Sequence, residues 1–406
     1  MRTIILLQLI FVLAAMHAEA SPPFFLLPKT SLGPEDIAVI VNDSDPLSRE
    51  SAAYYQSRRG IPEANMIHVS FPHNSPNMTP AEFGSIKAQV DAKTPKSVQA
   101  FALAWTTPYR VDCMSITSAF AFGFDRAFCS QCGPTRMSPY YNSTSTTPYF
   151  DLKMRPAMML AGTGIQAVKA LIDRGIASDG SHPRGTGYLV STSDKARNVR
   201  AAMFPEAVEV NRHWVNMKLI EKDSIKDKKD VLFYFTGLAS VPDLDTLEFL
   251  PGAIADHLTS TGGMLTDSGQ MSILRWLEAG ATASYGSVVE PCNYLQKFPY
   301  PGQAIYWYVQ GESLIEAYWK SVAWPGEGVF VGEPLAKPFG GYSVKTEGNE
   351  VVLRTQSLPP GLYALLGADS LVGPYIPVQE ITVGPGKSEL HLGNLGKPVY
   401  RLERIR

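Results

Sequence analysis

Two apolar runs in the second half of the chain, Val231–Phe235 and Ala281–Val289, limit most strongly what it can fold into. Both are short, partly β-branched or aromatic, and close to Gly or Pro, which is typical of strands buried on both faces of a parallel sheet. Gly252–Ala255 is a third strand candidate, and Gln270–Ala279 has the apolar spacing of a helix. The order strand, strand, helix, strand predicts an α/β sheet, in which ligands bind at the carboxyl ends of the strands.

The same alternation of strand and helix patterns occurs in the first half of the chain. The predicted strands are Asp36–Val41, Asn65–Phe71, Val98–Trp105 and Gly187–Thr192, and two of the predicted helices are Ser48–Arg59 and Pro80–Ala92. We therefore expect a mostly parallel sheet with helices on both faces over residues 21–337, with a long Cys-containing loop insertion at residues 106–150. Residues 338–406 alternate short apolar segments with Gly and Pro turns, which predicts a small C-terminal β-sandwich.

Residues 1–20 have the pattern of a signal peptide: Arg2, then an apolar run over Ile4–Met16, then Ala18-Glu19-Ala20. We expect the protein to be exported, to the periplasm or the medium, with no membrane span in the mature chain. The formal net charge of −2 and the lack of a Lys- or Arg-rich run argue against a nucleic-acid partner. No pattern in the sequence specifies an oligomeric state.

Export gives the four cysteines an oxidising environment, in which an even number favours disulfides. Four cysteines allow three pairings. Cys129 and Cys132 are close enough in sequence to pair with each other, which would leave Cys113 and Cys292 as a second disulfide or as two free thiols. The two outcomes give Cys292 opposite roles, structural or chemical.

Four polar residues follow the predicted strands of the second half: Asp256, His257, Glu290 and Cys292. A thiol nucleophile needs a base that raises its thiolate fraction, and the base needs a third group that orients it. One interpretation is a thiol hydrolase for a peptide or protein substrate, in which His257 activates Cys292 and Asp256 or Glu290 orients the imidazole. The other is a catalytically inactive binding or scaffold module of the cell envelope, with Cys292 bonded to Cys113 and His257 bonded to a loop.

A divalent ion is a further alternative at the same sheet edge. Asp43 and Asp45 follow the first predicted strand, and the edge would bring them towards Asp256, His257 and Glu290. Carboxylates with one imidazole suit a hard or borderline metal. No ligand spacing supports such a site, so we expect no cofactor.

Two further groups of residues indicate binding surfaces. Within the long loop, Tyr109, Arg110, Tyr140 and Tyr141 are of the kind that lines peptide or glycan clefts, because tyrosine offers a broad face and a hydroxyl. A disulfide-pinned surface loop explains the same residues equally well. The aromatic run Tyr306–Trp324 is a candidate carbohydrate platform, although its helical spacing favours a place in the core.

Several blocks resemble known protein families. They are GATASYGSV at Gly280–Val288 and the turn Gly332-Glu333-Pro334, set in an order of elements that runs from Asp36 to about Phe339. Together they resemble the gingipain-like cysteine peptidases, a caspase-fold family often followed by an immunoglobulin-like domain. The blocks MMLAG, LIDRG, GQMS and SYGSVVEPCN are more closely similar to an exported bacterial family that lacks the usual His/Cys dyad.

The resemblance implies a caspase-like α/β domain followed by a small β-sandwich. In gingipain-like enzymes a His-Gly pair leaves one strand and the nucleophilic Cys leaves the next. The corresponding positions here read Thr236-Gly237-Leu238 and Ala255-Asp256-His257. The resemblance therefore implies the fold and does not carry over the catalytic residues.

Overall fold

The structure is a computed structural model that describes residues 22–348, 350–384 and 389–406. The predicted signal peptide, residues 1–20, lies outside the described residues. No helix in the described part of the chain is long and apolar enough to cross a bilayer.

The described residues form strands and helices with the following bounds. The strands are β1 (Phe24–Leu26), β2 (Ile37–Asn42), β3 (Met66–Val69), β4 (Asn77–Met78), β5 (Ala100–Leu103), β6 (Arg110–Val111), β7 (Met114–Ser115), β8 (Ala157–Met159), β9 (Thr186–Ser191), β10 (Asn216–Glu221), β11 (Val231–Thr236), β12 (Phe249–His257), β13 (Ala283–Ser287), β14 (Gly328–Gly332), β15 (Ser343–Glu347), β16 (Glu350–Arg354), β17 (Gly361–Ala368), β18 (Ile376–Val383), β19 (Glu389–His391) and β20 (Val399–Arg404). The helices are α1 (Pro46–Arg59), α2 (Pro80–Lys93), α3 (Ile116–Phe122), α4 (Pro148–Leu152), α5 (Ile165–Ser178), α6 (Phe204–Asn211), α7 (Leu274–Glu278), α8 (Pro301–Val309) and α9 (Leu314–Lys320).

A ten-stranded sheet in the order β10-β9-β11-β12-β13-β14-β8-β5-β2-β3 organises the chain. Strands β3, β2, β5 and β8 pair in parallel, and so do β10, β9, β11, β12 and β13. Strand β14 runs antiparallel to β13 and joins β8 through Val331 and Met159. Every residue of β2, β5 and β11 is buried, as expected of strands covered on both faces. The predicted fold class, α/β with a large and mostly parallel sheet followed by small C-terminal sheets, is confirmed.

Local sequence signals set the ends of the helices in the first half. Asp45 caps α1 by accepting a hydrogen bond from the Leu47 backbone N–H at 2.9 Å, and Gly60 ends the helix with φ 67°. Helix α2 begins with a capping box, in which Thr79 and Glu82 bond reciprocally to each other's backbone N–H groups.

Three helices differ from their predicted extents. The helix predicted over Gln270–Ala279 is shorter, because α7 covers only Leu274–Glu278. The aromatic spacing of Ala304–Trp324 predicts one helix, but α8 stops before Gly311, whose φ is 84°, and α9 starts at a capping box formed by Ser313 and Glu316. The sequence predicts a helix over Ile165–Arg174 that Gly175 ends, but α5 continues through Gly175, where a Cβ would lie 2.6 Å from the Glu333 side chain. Gly175 therefore permits close packing and does not end the helix.

Two small sheets follow the large one. Strands β15, β16 and β19 pair antiparallel, and β17 lies antiparallel to β18 and β20. The N-terminal strand β1 pairs in parallel with β20, from Phe24 opposite Val399 to Leu26 opposite Arg401. The beginning of the described chain is thereby tied to its end.

Candidate functional site

The loops that follow β5, β12 and β13 meet at one edge of the large sheet. Tyr109, in the loop after β5, bonds through its hydroxyl to the carboxylate of Asp267, which follows β12. Its neighbour Arg110 places Nη1 3.4 Å from the carbonyl oxygen of Val288, which follows β13. The long loop therefore lies over the strand ends from which the predicted catalytic residues leave.

His257, the last residue of β12, is buried with only 1% of its surface exposed. The indole Nε1–H of Trp276 donates to His257 Nδ1 at 2.9 Å, so the ring proton is on Nε2, which donates to the Met271 carbonyl at 3.1 Å. Burial lowers the pKa of His257 to about 3, opposed by the bond to Met271 and assisted by Arg200 and Arg197. His257 is therefore a neutral imidazole whose two nitrogens are both bonded within the protein.

Asp256 faces the opposite side of the sheet from His257, because successive residues of a strand point to opposite faces. Its Oδ1 lies 2.5 Å from Arg200 Nη2, and both side chains are 1% exposed. Tyr318, on α9, donates to the other carboxylate oxygen at 3.5 Å. Burial raises the pKa of Asp256 and the Arg200 guanidinium opposes the rise. Asp256 thus pairs with Arg200, which lies in the turn before α6, and the structure does not bring it to the imidazole.

The cysteines form the disulfides Cys113–Cys129 and Cys132–Cys292. This pairing differs from the local Cys129–Cys132 bond and from the Cys113–Cys292 bond that the sequence suggested. Cys129 is 7% exposed and packs in the core beside Cys113, whereas Cys132 lies on the surface one turn later, after Gln131 with its φ of 51°. All four cysteines lie within the described residues and all are paired, so none of them has a free thiol.

Glu290 is exposed, and its Oε1 accepts a hydrogen bond of 2.8 Å from the backbone N–H of Cys292. Cys292 has φ 50°, a left-handed conformation that is uncommon for a residue with a side chain. The carboxylate of Glu290 and the disulfide of Cys292 together hold this turn after β13. His257 and Cys292, the predicted catalytic partners, are therefore bonded to other groups. His257 bonds to the Met271 carbonyl and the Trp276 indole, and Cys292 bonds to Cys132.

A polar network that sequence reasoning missed holds the loop after β12. Arg197 donates through Nε to Thr259 Oγ1 at 3.0 Å, and Thr259 donates to Gln270 Oε1 at 2.7 Å. The same Gln270 oxygen accepts from the Thr261 backbone N–H at 2.9 Å. Arg197 is 62 residues from Thr259 in the sequence, so no local pattern marks this partnership.

The four residues expected to line a binding cleft are split between two places. Tyr109 is fully buried, and burial together with its bond to Asp267 raises its pKa. Tyr140 is also fully buried, with the Lys320 ammonium 5.2 Å from its ring centroid, while Tyr141 is partly exposed. Tyr109 and Arg110 therefore lie at the sheet edge, whereas Tyr140 packs against α9.

The carboxylates considered as metal ligands have separate roles. Asp43 lies 2.7 Å from His68 Nδ1, Asp45 caps α1, and Asp256 pairs with Arg200. Among the described residues, no group of three or more His, Cys, Asp or Glu side chains is placed to hold a metal ion.

Gly237 follows the last residue of β11. A Cβ built there would lie 2.0 Å from the carbonyl oxygen of Arg197. Thr192 donates through Oγ1 to the Gly237 carbonyl at 2.6 Å, which brings the ends of β9 and β11 together. The glycine is explained by this close backbone approach.

The chain was compared with family models, with curated proteins and with solved structures. Neither the family models nor the curated proteins include a match. One solved structure, described as "Structure of Protease", aligns with a TM-score of 0.40 and 10% identity, over 92% of this chain and 96% of that chain. A likeness this distant carries no argument about family or activity.

Proposed function

We propose that this protein acts by binding, as an exported module of the cell envelope with a caspase-like fold and without thiol chemistry. The observation that carries the proposal is the bond between Cys292 and Cys132. A disulfide sulfur has no thiolate to attack a carbonyl carbon. The one cysteine that follows a central strand of the sheet therefore holds a loop in place.

The surroundings of His257 support the same proposal. A general base needs a ring nitrogen that can reach the proton it removes. Here Nδ1 accepts from Trp276 and Nε2 donates to Met271, and burial holds the pKa of the ring far below neutrality. Asp256 pairs with Arg200 on the other face of the strand, so the third member of a triad is not beside the imidazole.

The competing proposal is the predicted thiol hydrolase, in which His257 activates Cys292. It requires cleavage of the Cys132–Cys292 bond and a rearrangement that frees one nitrogen of His257. Loss of the bond from Trp276 would leave a buried indole N–H without a partner, at a cost of about 1–3 kcal/mol. The binding proposal needs neither change.

Thiol labelling of the purified protein, kept oxidised throughout, separates the two proposals. We expect a maleimide reagent to label no cysteine in the unreduced protein, either native or in denaturant, and to label all four after reduction in denaturant. We also expect no hydrolysis of fluorogenic peptides that depends on Cys292.

The matched variants are Cys292→Ala combined with Cys132→Ala, and Cys113→Ala combined with Cys129→Ala, since each pair removes one disulfide. Labelling of Cys292 in the unreduced native protein would contradict the binding proposal if peptide hydrolysis also disappears in the first variant and persists in the second.

A further inference from the structure

A pocket of about 270 Å³ lies at the amino ends of β5 and β8, opposite to the strand ends described above. Phe101, the second residue of β5, lines it together with four charged residues. Lys87 and Asp91 come from α2, and Lys153 and Arg155 come from the segment between α4 and β8. A concave site with a few charged groups at fixed positions is a usual setting for a small polar ligand.

Arg155 is buried in the wall of this pocket, with 7% of its surface exposed. Its Nε donates to the Val98 carbonyl at 2.9 Å. Its Cζ lies 3.2 Å from the ring centroid of Tyr149, so the guanidinium group stacks on that ring. Stacking uses the flat face of the guanidinium group and leaves the N–H groups at its edge, on Nη1 and Nη2, without a partner.

The edge of the Arg155 guanidinium group is both unpaired and accessible. Neither Nη1 nor Nη2 has a hydrogen-bond or ion-pair partner among the residues that the structure describes. Neither nitrogen is fully shielded from solvent, unlike the Nε atoms of Arg174 and Arg200. Arginine is rarely buried without a partner, so an open guanidinium edge in a pocket indicates a ligand that supplies one.

The electrostatics of Arg155 agree with this geometry. Burial lowers the pKa of Arg155, and Tyr149 and Asp91 oppose the fall. A lowered pKa means that the surrounding protein does not fully replace the hydration that the charged group has lost. An anion at Nη1 and Nη2 would stabilise the charged form.

The carboxylates near the pocket are bonded to other groups. Asp91 accepts from Lys87 Nζ through both oxygens, at 2.7 and 2.6 Å. Asp151 accepts from the hydroxyls of Ser145 at 2.6 Å and Thr147 at 2.8 Å. Lys87 and Asp91 therefore cancel each other's charge, and Asp151 is held within its own loop.

Lys153 adds a second cation to the pocket. It is exposed, and its Nζ donates to the Phe150 carbonyl at 2.8 Å. That acceptor is neutral, and Lys153 forms no ion pair with a carboxylate in the described part of the chain. Lys153 and Arg155 therefore give the pocket an excess of positive charge.

Geometry and charge favour a carboxylate over a phosphate as the ligand. A planar carboxylate matches the guanidinium edge and accepts two parallel hydrogen bonds from it. Phosphate sites commonly use helix N-termini, whereas α3 meets this pocket at its last residue, Phe122. Helix C-termini carry a partial negative charge, which disfavours a doubly charged anion more than a singly charged one.

We infer that this pocket binds a small monocarboxylate, whose oxygens accept hydrogen bonds from Nη1 and Nη2 of Arg155 and lie near the ammonium group of Lys153. The inference goes beyond the proposed function, because it adds a small-molecule site at the other edge of the sheet. It does not depend on the state of the cysteines.

The test is a titration of the purified full chain with acetate, propionate, lactate and benzoate, as sodium salts at pH 8 and constant ionic strength. Binding is followed by ligand-observed NMR up to about 20 mM, at which a millimolar complex is mostly formed. The amides of the same acids are the uncharged comparators, and inorganic phosphate is the dianionic one. We expect at least one carboxylate to bind, with its amide weaker by roughly tenfold and phosphate also weaker.

Two variants test the cations directly. Arg155→Lys keeps the charge but loses the planar edge, so it should weaken carboxylate binding by about tenfold or more. Lys153→Gln removes an exposed charge and should weaken it by roughly two- to fivefold. The matched controls are Arg174→Lys and Lys96→Gln, which lie outside the pocket and should bind as the unchanged protein does.

Each variant is first compared with the unchanged protein by circular dichroism. If Arg155→Lys does not fold, Lys153→Gln and its control decide the test, because Lys153 is on the surface. Absence of binding by all four carboxylates overturns the inference, and so does equal binding of the carboxylates and their amides. Phosphate binding tighter than every carboxylate, or equal weakening by the pocket variants and their controls, also overturns it.

Thiol labelling is measured separately from this titration. A free and active Cys292 would contradict the proposed function, whereas a failed titration would contradict only the carboxylate site.

Discussion

At the scale of single residues, the bonding of His257 decides its chemistry. Its neutral form is held by a donor at Nδ1 and an acceptor at Nε2, which Trp276 and Met271 provide. Protonation would place a second donor against the Trp276 N–H and would put a charge into a buried site beside Arg200 and Arg197. The folded protein therefore resists protonation at this residue.

This resistance predicts a dependence of stability on pH. The pKa of His257 is about 3 in the folded protein and about 6.5 in the unfolded chain, so only the unfolded chain takes up a proton between these values. The stabilisation is fully present above about pH 6.5 and is lost as the pH falls towards 3, by about 1.4 kcal/mol per pH unit. His257→Gln should remove this part of the slope, as measured by urea unfolding at a series of pH values.

His213→Gln is the control, because it removes a histidine from the exposed surface and has the same effect on composition. If His257→Gln and the unchanged protein lose stability in parallel between pH 6.5 and pH 4, the assignment of a neutral buried His257 is wrong.

At the scale of elements, Gly311 separates α8 from α9. Gly311 takes a left-handed φ of 84°, and a Cβ there would lie 2.7 Å from Ser357 Oγ. The chain turns at Gly311, so Glu312 lies between the two helices and Ser313 is the N-cap of α9.

The close approach of the loop after β11 to Arg197 predicts the effect of a single methyl group. Gly237→Ala would put a Cβ 2.0 Å from a backbone oxygen that cannot rotate away, so we expect a loss of about 1–3 kcal/mol in the free energy of unfolding. Gly84→Ala in α2 has open space around the added Cβ and should stabilise the protein by roughly 0.5–1 kcal/mol. Urea unfolding of both variants checks the pair.

A result in which the two alanine variants have equal stability would show that the backbone at Gly237 is looser than the structure indicates. The same measurement tests whether this glycine is explained by packing.

At the scale of the whole molecule, two kinds of connection close the chain on itself. Strand β1 adds to β20, which joins the start of the described chain to its end. The Cys132–Cys292 disulfide joins residues 160 apart, from the long loop to the turn after β13, whereas Cys113–Cys129 closes a segment of 16. Both disulfides constrain the loop that lies over the sheet edge.

The difference in loop length predicts unequal contributions to stability. On the chain-entropy account, closing the longer segment contributes about 5 kcal/mol and closing the shorter one about 3 kcal/mol. The paired variant Cys132→Ala with Cys292→Ala should therefore lose more stability than Cys113→Ala with Cys129→Ala, as measured by urea unfolding under oxidising conditions. The opposite order would contradict this account.

The sequence by itself determined the α/β class, the mostly parallel sheet and the approximate places of its strands and helices. Strands such as β11 are short apolar runs, and helices such as α2 carry their own capping residues, so their signals are local. The predicted helix ends near Gly175 and Gly311 were wrong because the sequence does not show whether a glycine ends a helix, permits close packing or turns the chain. Only its neighbours in space distinguish these roles.

The tertiary structure alone decided what the polar residues do. The Cys132–Cys292 partners are 160 residues apart, Arg200 and Asp256 are 56 apart, and Trp276 is 19 residues from His257, so no helical or strand spacing predicts these contacts. Local patterns report backbone preference and burial, which depend on neighbouring residues, whereas bonding and charge depend on which distant groups the fold brings into contact.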